Sequence, residues 1–171
     1  RLGGRHLEVC SDPERMACAR IEQPGPRDVI VVGTVLPWGN DKKYPKKEGF
    51  LAALACQVAE WGPLWGAPRT GAVCVAGDFN QSLPYQHNWG TPSCAAAVEQ
   101  AIQTHSLICL TAGNDDPLPS VAERPSIDHI CVGGRLRPRL TPPSRTWPIP
   151  SVGEDPVTDH YGAYADLDVL P

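Results

Sequence analysis

Residues 73–80 (Val-Cys-Val-Ala-Gly-Asp-Phe-Asn) end an apolar stretch in two polar side chains that could do acid chemistry. The valines predict a buried strand, and Gly77 permits a sharp exit from it. Because side chains alternate along a strand, Asp78 and Asn80 should lie on one side and Phe79 on the other. A Gly-Asp pair after a strand is also a common turn signal, so this segment alone does not establish a site.

Two further segments carry acids at the ends of apolar strands. Residues 126–132 contain Asp128, and residues 157–165 contain Asp159 followed by His160. Carboxylate and amide oxygens suit Mg²⁺ or Mn²⁺ and suit softer metals poorly. The sequence therefore predicts that five side chains converge on one pocket: Asp78, Asn80, Asp128, Asp159 and His160.

Three motifs in this order resemble those of a known superfamily. They read Gly-Asp-Phe-Asn at residues 77–80, Ser-Ile-Asp-His-Ile at 126–130 and Thr-Asp-His-Tyr-Gly at 158–162. The superfamily is the endonuclease/exonuclease/phosphatase group, which includes pancreatic deoxyribonuclease and inositol polyphosphate phosphatases. The resemblance implies an α/β (α+β) fold: a four-layer sandwich of two mainly antiparallel β-sheets packed face to face and flanked by helices.

The resemblance also implies a role for each site residue in metal-dependent hydrolysis of a phosphate ester, as a phosphodiesterase, phosphatase or nuclease. Asp78 would orient or deprotonate the attacking water, and Asn80 would donate to a phosphoryl oxygen. Asp159 would bind Mg²⁺ or Mn²⁺, and His160 would contact phosphate or handle a proton. Asp128 would hold the His160 ring through the nitrogen remote from the substrate, which fixes the tautomer.

The resemblance covers the later part of the family's domain, roughly residues 14–171, and it has two departures. Family members carry an upstream Gln-Glu whose Glu binds the metal, and no Gln-Glu occurs in this chain. Where many members place a phosphate-contacting His or Tyr, this chain has Val35. We therefore expect a domain that is incomplete at its N-terminus, with weak or absent activity by itself. The alternative is a catalytically weak or inactive domain of the same fold that acts as a binding module.

Composition and length suit a single domain over residues 1–171. The 42% hydrophobic and 20% charged residues match ordinary globular usage, and 19 Pro with 16 Gly favour short strands and loops over long helices.

The net charge of −4 gives no overall basic field for duplex DNA. Two groups of residues could form a local basic patch: the lysines at positions 42, 43, 46 and 47, and the arginines at 135, 137, 139 and 145. The lysine cluster is the better candidate of the two, although such runs are more often solvated faces. The substrate stays open among nucleic acid, a phosphoinositide, a sphingolipid headgroup and a small nucleotide.

The seven cysteines show no Cys-x-x-Cys pair, which argues against a metal–thiolate site. Their odd number and missing pairing pattern favour a reducing compartment such as the cytoplasm. No stretch approaches the roughly eighteen apolar residues that a membrane span needs. No positively charged and then apolar leader is visible at the N-terminus, and a leader could have been lost with the missing upstream portion. The sequence gives no indication of oligomeric state.

Hydrophobic periodicity predicts the elements that must position the site. Strands are expected over residues 15–21 and 28–35, forming an antiparallel pair, and a helix over residues 46–61. The strand from Val73 should be followed by a second helix over residues 93–105 with Ser93 as its N-cap. Further strands are expected over residues 107–110, 127–132 and 162–169. Strand alternation points His129 away from Asp128, which favours a packing role for that ring.

Overall fold

The structure is a computed structural model that describes residues 3–7, 12, 14–22, 27–67, 69–86, 89–147, 151–152, 155–156 and 158–171. In chain order its elements are β1 (Gly3–Leu7), β2 (Met16–Glu22), β3 (Asp28–Val35), α1 (Lys46–Trp65), β4 (Thr70–Asp78), α2 (Pro92–Thr104), β5 (Ile108–Cys109), α3 (Pro119–Ala122), β6 (Asp128–Gly134), β7 (Leu136–Pro138), β8 (Arg145–Trp147), β9 (Ser151–Val152), β10 (Asp155–Pro156), β11 (Gly162–Tyr164) and β12 (Leu167–Val169). A short 3₁₀ helix also covers Gly113–Asp115.

The centre of the fold is a six-stranded sheet with strand order β1-β2-β3-β4-β6-β5. Strands β3 and β4 are parallel, with α1 as the connection between them, and the other neighbours are antiparallel. The apolar side chains of β3 pack against both faces of this sheet. Ile30 and Val32 join the core on one face, while Val29 and Val31 pack into a second cluster on the other. A strand buried on both faces explains why its sequence is continuously hydrophobic rather than alternating.

Helices α1 and α2 cover the first face of the sheet. Phe50, Leu54 and Trp61 of α1 and Val98 and Ile102 of α2 are all buried in that core. Full burial of such a side chain contributes about 1.5–3 kcal/mol, so these helices are held mainly by packing. Among the described helices, none is long and apolar enough to cross a lipid bilayer.

The second face is covered in part by the ladder of β7 and β12. Strands β7 and β12 pair antiparallel, and so do β8 with β11 and β9 with β10. Leu136 of β7 and Leu167 of β12 pack on the second cluster with Val29, Ala72 and Val132. The mixed α/β fold with packed sheets and flanking helices is confirmed. Outside the central sheet, the described strands nevertheless form separate short ladders. The stretch between β7 and β11 carries five prolines, which lack the backbone N–H donors that a continuous sheet needs.

Several element boundaries differ from the sequence prediction. The antiparallel β2–β3 pair and the bounds of β3 are confirmed, whereas α1 runs on to Trp65. Helix α2 is capped by Thr91, whose Oγ1 accepts from the backbone N–H of Cys94, so Ser93 is not the N-cap. The predicted final strand over residues 162–169 is two short strands, β11 and β12, which pair with different partners. Strand β1 was not predicted.

Candidate active site

At the end of β4, the polar side chain of Asp78 and the apolar side chain of Phe79 point in opposite directions. Phe79 is buried and meets the ring of His129 edge to face, with 5.4 Å between ring centroids. Gly77 has φ +145°, and a Cβ at this position would collide with the carbonyl oxygen of Thr34 on the neighbouring strand. Only glycine adopts that conformation in that space. Asp78 is therefore directed away from the core on the side opposite Phe79.

Asn80 fixes the carboxylate of Asp78. Its backbone N–H donates to Oδ1 of Asp78 at 2.8 Å, and its Nδ2 donates to Oδ2 at 2.9 Å. The same Nδ2 donates to the carbonyl oxygen of Leu36 at 2.8 Å. Asn80 has φ +51°, a left-handed conformation that asparagine tolerates better than most residues. Both amide hydrogens of Asn80 are thus engaged within the protein, which leaves its Oδ1 as the uncommitted polar atom.

Asp128 and His160 complete a compact cluster around Asp78. Asp78 and Asp128 are cross-strand partners in the β4–β6 ladder. Nδ1 of His160 donates to Oδ2 of Asp128 at 2.8 Å, as the sequence predicts. One ligand atom from each of Asp78, Asp128 and His160 lies within 4.8 Å of the others. Two carboxylates and an imidazole from three distant segments therefore meet at one place.

The electrostatics of the cluster shift two pKa values upward. Burial raises the pKa of Asp78, and the charge of Asp128 adds to this, while the donors of Asn80 and the charge of His160 oppose it. For His160, burial alone would lower the pKa, but Asp128, followed by Asp78 and Asp159, raises it. The environment therefore favours a protonated imidazole beside an acid that ionises less readily than usual.

Asp159 is placed differently from the other predicted site residues. Its side chain is 97% exposed, and its Oδ1 lies 3.9 Å from Nε2 of His160. It is not part of the three-residue cluster formed by Asp78, Asp128 and His160. Its carboxylate stands at the open side of the His160 ring, so its role as a metal ligand stays a prediction.

Arg124 contacts the segment that carries Asp159 and His160, and sequence reasoning did not single it out. Its guanidinium lies 5.1 Å from the ring centroid of Trp89 and 5.7 Å from that of Tyr161. It also donates from Nη2 to the backbone carbonyl oxygen of Asp159 at 2.9 Å. Arg124 thereby ties the segment that carries Asp159 and His160 to the loop that carries Trp89. No local pattern marks this arginine, since its partners come from distant parts of the chain.

His129 belongs to the scaffold, as strand alternation predicts. It is 1% exposed. Its Nε2 lies 2.9 Å from the carbonyl oxygen of Gln81, and its Nδ1 lies 3.1 Å from both the carbonyl oxygen and Oγ1 of Thr111. These bonds hold the loop after Asn80 against β6, so His129 supports the site from behind.

The donor atoms of the cluster fit a hard divalent cation. The carboxylates of Asp78 and Asp128 offer oxygen atoms, and each carboxylate has lone pairs beyond those used by Asn80 and His160. Oxygen-rich sets of this kind suit Mg²⁺ or Mn²⁺, and the cluster contains no thiolate that would favour a softer ion.

No family model and no curated protein matches this sequence. Solved structures do match. The endonuclease domain of TRAS1, a telomere-specific non-LTR retrotransposon, gives a TM-score of 0.60 at 11% identity, over 98% of this chain and 68% of that one. A 3′ phosphatase from Neisseria, bound to a product DNA hairpin, gives 0.57 at 17% identity, over 96% and 70%. An endonuclease/exonuclease/phosphatase from Beutenbergia cavernae gives 0.54 at 16% identity, over 99% and 45%.

These similarities define a fold. The chain has the fold of the endonuclease/exonuclease/phosphatase proteins, as its three motifs imply. At sequence identities of 11–17%, the similarity supports a shared fold and does not by itself support a shared function. The chain spans between 45% and 70% of the length of these three structures.

Proposed function

We propose that this protein is a metal-dependent hydrolase of phosphate esters, of the phosphodiesterase or nuclease class. The observation that carries the proposal is the meeting of ligand atoms of Asp78, Asp128 and His160 within 4.8 Å, where β4 ends and β6 begins. The fold supports it, because the similar structures include an endonuclease domain and a 3′ phosphatase. The two carboxylates have unequal environments, which is how active sites separate the roles of like groups.

An Mg²⁺ or Mn²⁺ ion would be held at the open side of the cluster by carboxylate oxygens of Asp78 and Asp128, with Asp159 as the further ligand implied by the family resemblance. When bound, the ion would neutralise charge on the phosphoryl oxygens. Asp159 is close enough to His160 to face the same substrate group, since its Oδ1 lies 3.9 Å from Nε2.

The protein's own side chains supply the proton transfer and the positioning that hydrolysis needs. Asp78 accepts the proton of the attacking water, and its raised pKa makes it a better base than an ordinary aspartate. Asn80 holds both oxygens of Asp78 in place, so its main role is to orient that base. His160 presents Nε2 to a phosphoryl or leaving-group oxygen, and Asp128 keeps the ring in that orientation through Nδ1.

Hydrolysis of bis(p-nitrophenyl) phosphate and of a short oligonucleotide, with added Mg²⁺ or Mn²⁺ and with a chelator, tests the proposal. We expect hydrolysis that the chelator abolishes, and weak or absent hydrolysis for residues 1–171 by themselves, because the chain carries no Gln-Glu metal ligand. Asp78→Ala and His160→Ala should each lower turnover on the order of a hundredfold or more, as loss of a general base or acid does. Asp166→Ala is the matched control, because Asp166 is an exposed aspartate outside the cluster. Equal turnover in all three variants would contradict the assignment.

Calorimetric titration with Mg²⁺ identifies the ligands. If Asp159 is the further ligand, Asp159→Asn should weaken binding as much as Asp78→Asn does. If the cluster alone holds the ion, only Asp78→Asn and Asp128→Asn should do so. Binding of phosphate esters without hydrolysis under any metal condition would favour the alternative, a binding module of the same fold.

A further inference from the structure

A cavity of about 460 Å³ lies beside the proposed site. Its walls come from the segments that follow β3 and β4, from the loop before α2 and from Ile127, which directly precedes Asp128. Asn80 lines the cavity and also holds the carboxylate of Asp78. The cavity and the cluster therefore share a wall, and a substrate with its phosphate at Asp78 can place an adjoining group in the cavity.

The described walls of the cavity include aromatic side chains and carry one positive charge. Trp38 is 55% exposed although it is a large apolar side chain, and Trp89 and Phe50 also line the walls. Lys47 is the only charged residue among the lining residues that the structure describes. Lys43, by contrast, is engaged with Asp12 at 3.4 Å and with Glu14. An apolar, aromatic cavity with one cation at its wall suits a planar ring attached to an anionic group.

Several polar groups of the walls are already engaged, although Oδ1 of Asn80 is not. Oε1 of Gln81 accepts from the backbone N–H of Thr91, and Oγ1 of Thr91 accepts from the backbone N–H of Cys94. Both amide hydrogens of Asn80 are engaged as well. The walls therefore offer stacking surface and few free groups for reading the edge of a base. Recognition by stacking tolerates any base, because every base has a π-face.

We infer that this cavity takes an unpaired nucleobase that adjoins the phosphate at the Asp78–Asp128–His160 cluster, so that the substrate is single-stranded nucleic acid or an unpaired end. The inference rests on the proposed function for the position of the phosphate. Lys47 contacts the neighbouring phosphate, and Trp38 stacks on the base. A base inside a duplex is already stacked and paired, and entering a concave cavity would require it to leave the helix. The net charge of −4 likewise provides no field for holding a long duplex.

Binding measured in a chelator tests this inference without any turnover. The probe is a fluorescein-labelled oligothymidylate of about ten nucleotides, a length within the range that single-strand grooves cover. Its partner probe has the same backbone with abasic tetrahydrofuran residues throughout. We expect Trp38→Ala to weaken oligothymidylate binding by roughly 5- to 150-fold, the range for loss of one stacked base. Trp38→Phe should retain most of the affinity, because it keeps a stacking ring.

The abasic probe and the lysine variants make the test specific. Trp38→Ala should leave binding of the abasic probe unchanged, and Lys47→Gln should weaken both probes, whereas Lys42→Gln serves as the matched exposed control. Equal affinity of the unaltered protein for both probes, or equally tight binding of the duplex form, would overturn the inference. An unchanged thermal midpoint of Trp38→Ala shows that the fold is intact.

The outcome separates the two proposals. A protein that prefers oligothymidylate over the abasic probe and hydrolyses no phosphate ester supports the subsite and refutes the proposed hydrolysis. A protein that hydrolyses bis(p-nitrophenyl) phosphate and binds both probes equally supports hydrolysis and refutes the subsite.

Discussion

Asp128→Asn tests the arrangement of the site with the smallest change in shape. The carboxylate that accepts from Nδ1 of His160 at 2.8 Å becomes a neutral amide of the same size. A hydrogen bond to a charged group contributes about 1.5–3 kcal/mol, against about 0.5–1.5 kcal/mol for a neutral one. The difference is about 1 to 1.5 kcal/mol, and because both side chains are about one-third exposed, the lower end, about 1 kcal/mol, applies. The expected loss in kcat/KM is about fivefold.

Steady-state hydrolysis of bis(p-nitrophenyl) phosphate at saturating Mg²⁺ measures this loss. Asp128→Ala removes the acceptor altogether and should cost more than Asp128→Asn. Asp166→Asn, which changes an exposed aspartate, should leave kcat/KM unchanged. If Asp128→Asn retains the full kcat/KM, the Asp128–His160 bond has no part in the reaction, and the proposed division of roles is wrong.

The same variant has a second readout in the metal-free protein, which does not depend on activity. Burial alone would lower the pKa of His160, but Asp128 and the other two acids raise it above the unfolded value of about 6.5. Protonated His160 therefore contributes stability that is fully present below about pH 6.5 and is lost as pH rises through the folded-state pKa. The difference in free energy of unfolding between the unaltered protein and Asp128→Asn should be largest just below pH 6.5 and should shrink at higher pH. A difference that does not vary with pH would refute the pairing.

Three further predictions concern the surroundings of the site. Phe79→Ala should lower the free energy of unfolding by about 3–5 kcal/mol in denaturant titration, because it removes a fully buried ring. Arg124→Ala should lower kcat/KM by about tenfold with little change in stability, since an exposed cation–π contact contributes about 0.5–1 kcal/mol; an unaltered kcat/KM would leave Arg124 without a positioning role. For Asp41, burial would raise the pKa, but the backbone N–H groups of Tyr44 and Lys43 together with the Arg15 guanidinium lower it. Asp41→Asn should therefore cost about 1–2 kcal/mol above pH 5, and this cost should disappear as acid protonates Asp41.

The parts of the fold that depend on local pattern could be predicted from the sequence. The bounds of β3 follow from a continuous apolar run, and the opposite directions of Asp78 and Phe79 follow from strand alternation. The Asp128–His160 bond follows from the family resemblance together with the need for a fixed tautomer. These features depend on few residues that are near one another in sequence or that belong to a specific motif.

The features that the sequence did not predict depend either on competition between neighbouring candidate residues for one role or on contacts between distant segments of the chain. Thr91 caps α2 in place of Ser93 because Pro92 takes the first helical position, where its missing N–H costs nothing. The exposure of Asp159 depends on how its segment is tied to Arg124, which no spacing reveals. The final strand divides because its two halves pair with β8 and β7, and the choice of partner is a property of the whole chain.

The pairing of Asp78 with Asp128 across β4 and β6 places two like charges opposite each other at the proposed active site. Like charges directly opposite in a ladder destabilise it, by roughly 0.2–1 kcal/mol for a cross-strand pair. Burial and the Asp128 charge raise the pKa of Asp78, so the ionised side chain weakens the fold at neutral pH. Selection for thermal survival alone therefore acts against the charge of Asp78, the side chain proposed as the base. Under the proposed function, an effort to engineer a more stable form of this protein must hold both aspartates constant and seek its gains elsewhere, because a substitution that relieves this repulsion also removes a proposed site residue.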